Sequence, residues 1–243
     1  NIKDFSKVTT RDIYGKPVRV ACWNHPEYRA WWNATVEDLF RTYPLDGFQW
    51  GAERMGPLMN VISPWNDAAP TCFCEHCVAR GRASGIDPER ARKGFEELYV
   101  YVRGLINGKP RPADGVFVGF LRVLIRYSEI LSWEYQYRRS REEVQAGMYR
   151  TIKAIKPDAD VGWHVDHQPS SWDLVYRAEM SYAEMARTPT SSSSSRITTS
   201  WDRASAIGIW SAFRRPSWGN FRWSNRWIST TAFSATTKRW SRA

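Results

Sequence analysis

Cys72, Cys74 and Cys77 stand in a Cys-x-Cys-x-x-Cys arrangement, and the only other cysteine, Cys22, closes an apolar run fifty residues upstream. Four thiolates delivered from two segments suit a closed tetrahedral Zn2+ site, with no coordination position left for water. Such a structural ion can stabilise a loop strongly, with apparent binding of about 10–16 kcal/mol in small zinc peptides. The plain alternative is three reduced thiols on a loop and one core cysteine. Four cysteines could also form two disulfides, but the tight triple reads better as metal thiolates in a reducing compartment.

Glu53 ends the strand-like run from Gly47 through Trp50, nineteen residues before the triple. A glycosidase needs one carboxyl held protonated near neutral pH and a second acting as nucleophile or base across the scissile bond. Trp50 could wall such a carboxyl and raise its pKa, or offer a stacking face to a sugar. Arg54 would lower that pKa if it pointed inward, but adjacent strand residues face opposite ways. The alternative is an ordinary surface glutamate opening a loop. His164, Asp166 and His167 form a third set, able to bind a metal or polarise a sugar hydroxyl. Such residues are otherwise solvated loop groups or hydrogen-bonded structural ones. Glu134 is expected on a long helix as a solvated charge. No Gly-x-Ser-x-Gly motif supports acyl chemistry.

Short strands must carry these groups. Residues 18–22 read as a buried strand, and a helix follows from Pro26 through Phe40, with the proline in its first turn. Residues 43–47 make a turn into the strand through Trp50, and residues 54–71 read as a Gly/Pro/Asn-rich loop. Asp87-Pro88 caps a helix running through Val102. Pro110, Pro112 and Gly115 break the pattern, and one long helix is expected from about Phe117 to Ile155. Lys156-Pro157-Asp158 stops it, residues 160–165 form another strand, and residues 172–185 another helix. This order is that of a parallel α/β protein, either a barrel or an open doubly wound sheet. No Gly-rich phosphate loop supports the nucleotide-binding version. Polar and aromatic residues gather after the strand ends, at Trp23-Asn24-His25, Glu53-Arg54 and His164 to His167, where a (β/α)8 barrel keeps its active site.

The net charge of +10 over 243 residues suggests a nucleic-acid or membrane partner until the chain is divided. From Thr188 onward there are nine Lys and Arg and one acid, Asp202, which leaves residues 1–187 at +2. No run approaches the roughly 18 apolar residues of a membrane span. The final 56 residues hold thirteen Ser, eight Thr and six Trp, and no Leu, Val, Met, Tyr, Glu, Gln, His or Cys. A disordered linker would be poor in aromatics. Codons read one base earlier can turn Thr188–Ser193 into Tyr-Ala-Asp-Phe-Ile-Lys and restore helical apolar spacing further on. The tail, residues 188–243, is therefore expected to be a frameshift beginning near Arg187 and, as an out-of-frame sequence, to be disordered. The chain starts at Asn1 without Met and reads as a fragment. Reduced cysteines and no visible signal peptide favour a cytoplasmic location.

Residues 18–187 resemble glycoside hydrolase family 42, the β-galactosidase-like (β/α)8 barrels with a four-cysteine zinc site. Cys22-Trp23-Asn24-His25-Pro26-Glu27-Tyr28 resembles that family's Cys-Pro-Asn-Ser-Pro-x-Tyr stretch, and Cys72-Phe73-Cys74-Glu75-His76-Cys77 its Cys-Tyr-Cys-x-x-Cys element. Phe48 to Glu53 stands where the family has a Trp-containing strand ending in Asn-Glu. Tyr137-Arg138-Arg139 resembles its Asp-Tyr-x-Arg-Phe helix, and His164 falls where a strand-end Asn is usual. The shifted-frame Tyr-Ala-Asp-Phe-Ile-Lys is similar to the family's next strand. The resemblance implies a partial TIM barrel lacking its first and last strands, with structural Zn2+ on Cys22, Cys72, Cys74 and Cys77. It implies Glu53 as general acid/base of a retaining mechanism on β-glycosides, with a nucleophile beyond residue 187 that has no match here. Trp50, His164 and Asp166 are the expected sugar contacts. Ala52 replaces the usual Asn, the loop from Glu53 to Cys72 is about twice the family's length, and Arg19 is one residue out of register with a sugar-binding Arg.

The expected partner is a carbohydrate, with neither nucleic acid nor membrane, and a homo-oligomeric parent stays open. The chain as it stands is expected to be inactive for want of a nucleophile. A non-catalytic carbohydrate-binding barrel is the alternative, motivated by Ala52. A zinc-stabilised nucleic-acid-binding protein using the basic tail is a third.

Overall fold

A computed structural model describes residues 2–51, 54–63 and 66–164, with the backbone alone at Trp163 and His164, together with Val175 and Ala178. The chain divides into two units, Asn1–Ala212 and Phe213–Ala243, and every described residue belongs to the first. Glu53, Asp166, His167, the expected helix over 172–185 and the tail from Thr188 lie outside the described residues, apart from Val175 and Ala178, which are helical.

The fold is mixed α/β, mostly helical, with two small sheets, and no closed barrel forms among the described residues. A 3-10 turn, Phe5–Val8, leads into β1 (Thr9–Arg11) and β2 (Pro17–Ala21). These two pair antiparallel, with Thr10 opposite Val18 and Arg11 opposite Pro17. The expectation of a buried parallel strand over residues 18–22 is thus corrected: β2 is half exposed and buries only Ala21. The cause is local. The Asp12 carboxylate accepts the N–H groups of Tyr14 (2.9 Å) and Lys16 (2.8 Å), and Gly15 takes a φ of 80°, a backbone state that glycine adopts at no steric cost. The turn closes a hairpin and sends β2 back along β1.

α1 (Pro26–Thr42) starts with its proline at the first helical position, where the missing N–H costs nothing. β3 (Gly47–Gly51) follows and pairs in parallel with the last described strand, β4 (Asp160–His164), so that Gly47 lies opposite Asp160 and Gly51 opposite His164. The connection between them is helical. The expected loop over residues 54–71 contains α2 (Pro57–Ile62), followed by α3 (Glu75–Ala83) and α4 (Pro88–Ile106). Asp87 caps α4 by accepting from the N–H groups of Glu89 and Arg90, as its position before a proline predicts.

The single long helix expected over 117–155 is two: α5 (Val116–Arg126) and α6 (Glu129–Ile155). The Arg126 carbonyl, which a continuous helix would give to the N–H of Ile130, accepts Arg90 Nη2 from α4 at 2.9 Å. The Ile130 N–H turns to the Tyr127 carbonyl instead, at 3.1 Å. Tyr127 and Ile130 enter the core beside Phe95 as a result.

At 1.5 Å rise per residue, the 27 residues of α6 span about 40 Å and thread both hydrophobic clusters. Ile130 and Trp133 join Leu58, Phe73, Phe95, Leu98 and the four cysteines, whereas Val144, Met148 and Ile152 join Trp23, Val36, Phe40, Trp50 and Val161. Between these ends, α6 buries a polar stretch of Glu134, Gln136, Arg138, Ser140 and Arg141. Glu134 is 3% exposed, and its Oε2 accepts the Leu58 N–H at 2.7 Å, at the start of α2. The expectation of a solvated charge there is therefore corrected, and the same contact explains α2. Six residues form a poor helix alone, but a carboxylate at the N-terminus satisfies an otherwise unpaired donor and favours the helix dipole. No described helix is long and apolar enough to cross a membrane.

Candidate metal centre

All four cysteines come together. Cys22 lies just past the end of β2, Cys72 and Cys74 flank Phe73 ahead of α3, Cys74 sits at the N-cap of α3, and Cys77 lies within its first turns. Their sulfurs all lie within 4.8 Å of one another, all four residues are buried, and none is in a disulfide. The Cys22 sulfur is 3.4 Å from that of Cys74 and 3.5 Å from that of Cys77. A tetrahedral site with Zn–S bonds of about 2.3 Å has sulfur–sulfur edges of about 3.8 Å, so shifts of up to about an ångström would seat an ion. The donor set, its burial and its spacing fit a structural metal.

Electrostatics among the thiols agree. The neighbouring Cys22 thiol, then those of Cys72 and Cys77, hold the Cys74 sulfur well below the ordinary thiol range. Cys22 is pushed up, chiefly by Cys72, and Cys77 is pushed up, chiefly by Cys22. Four thiols in contact cannot all ionise alone, because like charges in a desolvated pocket repel. A bound dication removes that conflict, since thiols that coordinate a metal are deprotonated outright.

The scaffold around the cluster is aromatic and polar by turns. Phe73 lies flat on Trp133, with centroids 4.7 Å apart and planes at 7°, and meets Phe95 edge-on. The Phe73 N–H reaches the Arg11 carbonyl of β1 at 2.8 Å. From α6, Trp133 Nε1 donates to the Cys72 carbonyl (3.2 Å) and Gln136 Nε2 to the Cys77 carbonyl (3.1 Å). The sulfurs also receive N–H donors: Cys72 from the Cys74 backbone at 3.4 Å, Cys22 from the Asn24 backbone at 3.3 Å, and Cys77 from Asn24 Nδ2 at 3.3 Å. Arg29, Arg80 and Glu143 complete the surround. Glu143 accepts from Arg29 Nη1 at 3.0 Å and from both Nη atoms of Arg80 at 2.7 and 2.6 Å.

Among these partners only Asn24 was within reach of sequence reasoning, as a polar residue after a strand end. Trp133, Gln136, Arg29, Arg80 and Glu143 sit on helices whose spacing reads as packing or solvated surface. Nothing in a single sequence says that Trp133 and Gln136 meet a cysteine loop about sixty residues away, or that Glu143 joins Arg29 to Arg80 beside it.

The expected sugar-site residues fare differently. Trp50 is 6% exposed, with Trp23 and Trp32 edge-on to it at 5.7 and 5.4 Å, so it belongs to the core under α1. The His164 backbone ends β4 opposite Gly51, and Glu53 and Asp166 lie outside the described residues. Arg54, next to Glu53 in the chain, stacks over Trp23 at 4.2 Å and donates to the Ala21 carbonyl (2.6 Å) and the Tyr28 hydroxyl (3.2 Å). It ties the segment after β3 to the end of β2 and to α1. Compared with known protein families, with curated proteins and with solved structures, the chain finds no match in any of the three.

Proposed function

We propose that this chain carries the zinc-braced part of a (β/α)8 glycoside hydrolase resembling family 42, and that Cys22, Cys72, Cys74 and Cys77 hold one structural Zn2+. The observation that carries the reading is the convergence of Cys22, from the strand-end segment, on the Cys72–Cys77 element, the most specific part of the resemblance. The register of the parallel pair supports it. Gly51 and His164 end β3 and β4 at one level, and Glu53 and Asp166 each follow those ends by two residues. In barrels, residues just past strand C-termini form the active site.

The ion's part is to brace the segment between β2 and α3, since four thiolates leave it no open position for substrate. Glu53 serves as general acid/base, with Asp166 and His164 as sugar contacts. The partner nucleophile belongs to a later strand, about 5–5.5 Å from Glu53 as retention requires.

The DNA at the codon for Arg187 is the first test, because a restored frame must supply a second strand-end carboxylate. Protein from that frame is expected to hydrolyse aryl β-glycosides, and Glu53→Gln to lower kcat by at least about 100-fold, the lower end of what proton transfer contributes. Folded, metal-loaded protein from an intact frame that cleaves no aryl glycoside would overturn the hydrolase reading.

A further inference from the structure

We infer that Asn24 is a positioning residue of the metal centre, holding the sulfurs of Cys22 and Cys77 with its two N–H arms, and that Glu143 sets it through Arg29. The inference rests on the metal reading above and adds to it a residue that controls how tightly the ion is held. Asn24 touches the cluster twice, through its backbone N–H on Cys22 and its side-chain amide on Cys77, both at 3.3 Å. The orientation of that amide follows from its other neighbour. Arg29 Nη2 lies 2.9 Å from Oδ1, and a guanidinium can only donate, so the oxygen must face Arg29 and the NH2 must face the sulfur.

Arg29 is itself clamped. Its Nε donates to the Trp23 carbonyl at 2.6 Å, its Nη2 reaches the Ser140 carbonyl at 3.4 Å, and its Nη1 meets Glu143 at 3.0 Å. Glu143 turns to Arg80 with its remaining lone pairs, and Arg80 follows Cys77 by three residues on α3. A closed circuit results, from Cys77 through Arg80, Glu143, Arg29 and Asn24 back to the Cys77 sulfur. Four thiolates on a dication leave two net negative charges in a buried site. N–H donors on sulfur and two guanidinium groups close by offset them. Residues one step out from metal ligands typically carry about 10–100-fold of affinity in this way.

The experiment uses the full 243-residue chain, reduced and freed of metal, titrated with Co2+ and Zn2+ against a chromophoric chelator. Asn24→Ala is expected to weaken Zn2+ binding about 10–100-fold. The thiolate-to-Co2+ charge-transfer band should move to lower energy, because a sulfur without its N–H donor gives up electron density more readily. Asn24→Asp should weaken binding further by setting a carboxylate against the thiolates. Glu143→Gln, remote from the sulfurs, should shift affinity and band in the same sense but less, and it stands in should the Asn24 variants not fold. A purely structural role would lower the unfolding midpoint without moving the band. If the parent chain binds one ion and these variants match it in affinity and band energy, the inference falls alone. If the parent takes up neither ion, the metal reading falls with it.

Discussion

Phe73, between the first two cysteines of the triple, is anchored by its ring and by its backbone N–H. Its ring is stacked on Trp133 and edge-on to Phe95, and its N–H is fixed to β1. Phe73→Ala should cost about 3–5 kcal/mol, the usual range for emptying an aromatic core site. It should also weaken Zn2+ binding, because the same anchor sets the positions of Cys72 and Cys74. Urea denaturation with and without Zn2+ separates the two effects. Glu143 makes the acid-side counterpart. Its carboxyl is held below the usual range, first by Arg80 and then by Arg29, against the opposing effect of burial. A depressed carboxyl adds stability that is full above its unfolded value, about 4.3, and lost as pH falls through its folded value. The unfolding midpoint should therefore drop through that acid range, and Glu143→Gln should flatten the drop. At 37% side-chain exposure, solvent screening keeps the amplitude modest. Superimposable acid profiles for the two proteins would mean that the bridge adds nothing.

Among the elements, α2 is the one whose existence hangs on a distant side chain. A Cβ built on Gly56 would lie 1.5 Å from Glu134 Oε1, so glycine is required for the carboxylate to reach the start of α2. Glu134→Gln keeps an acceptor in place and should be the mildest change. Glu134→Leu leaves the Leu58 N–H buried without its acceptor, a loss of about 1–3 kcal/mol. Gly56→Ala must displace the carboxylate or the helix and should exceed both. Chemical denaturation of the three variants gives this order or rejects the account. The same contact explains why residues 54–71 read as loop: Gly, Pro and Asn make up six of the eighteen, and the group that makes six of them helical lies more than seventy residues away.

On the scale of the molecule, α6 joins two apolar clusters through a buried polar middle, and the cysteine cluster ties the segment after β2 to α3 beside it. A metal there links parts of the chain separated by some fifty residues, so its removal should be felt globally. Zn2+ at a hundred times its dissociation constant adds about 2.7 kcal/mol, worth roughly 5–10 °C in the unfolding midpoint of a chain this size. Native mass spectrometry should find one ion per chain, and Cys22→Ser should abolish both the uptake and the shift. A midpoint unmoved by exhaustive chelation of loaded protein would count against a structural ion.

Local chemistry wrote a good deal of this protein into its sequence. Pro26 and Asp87-Pro88 mark the starts of α1 and α4, short stretches with Phe, Val and Trp after turn residues mark β3 and β4, and the cysteine spacing announces the cluster that forms. Each of these rests on near neighbours in the chain: a cap, a fixed φ, or a repeat of apolar positions. What the tertiary structure alone decided rests on partners far apart. Arg90 splits a continuous helical pattern at Tyr127 by taking the Arg126 carbonyl, Glu134 is buried because α2 needs an acceptor, and Asn24 is aimed at Cys77 because Arg29, itself held by Glu143, donates to its oxygen. A charged or amide side chain carries no mark of which distant donor it will meet. Only the folded chain, where leaving such a group unpaired in the interior is costly, makes that choice.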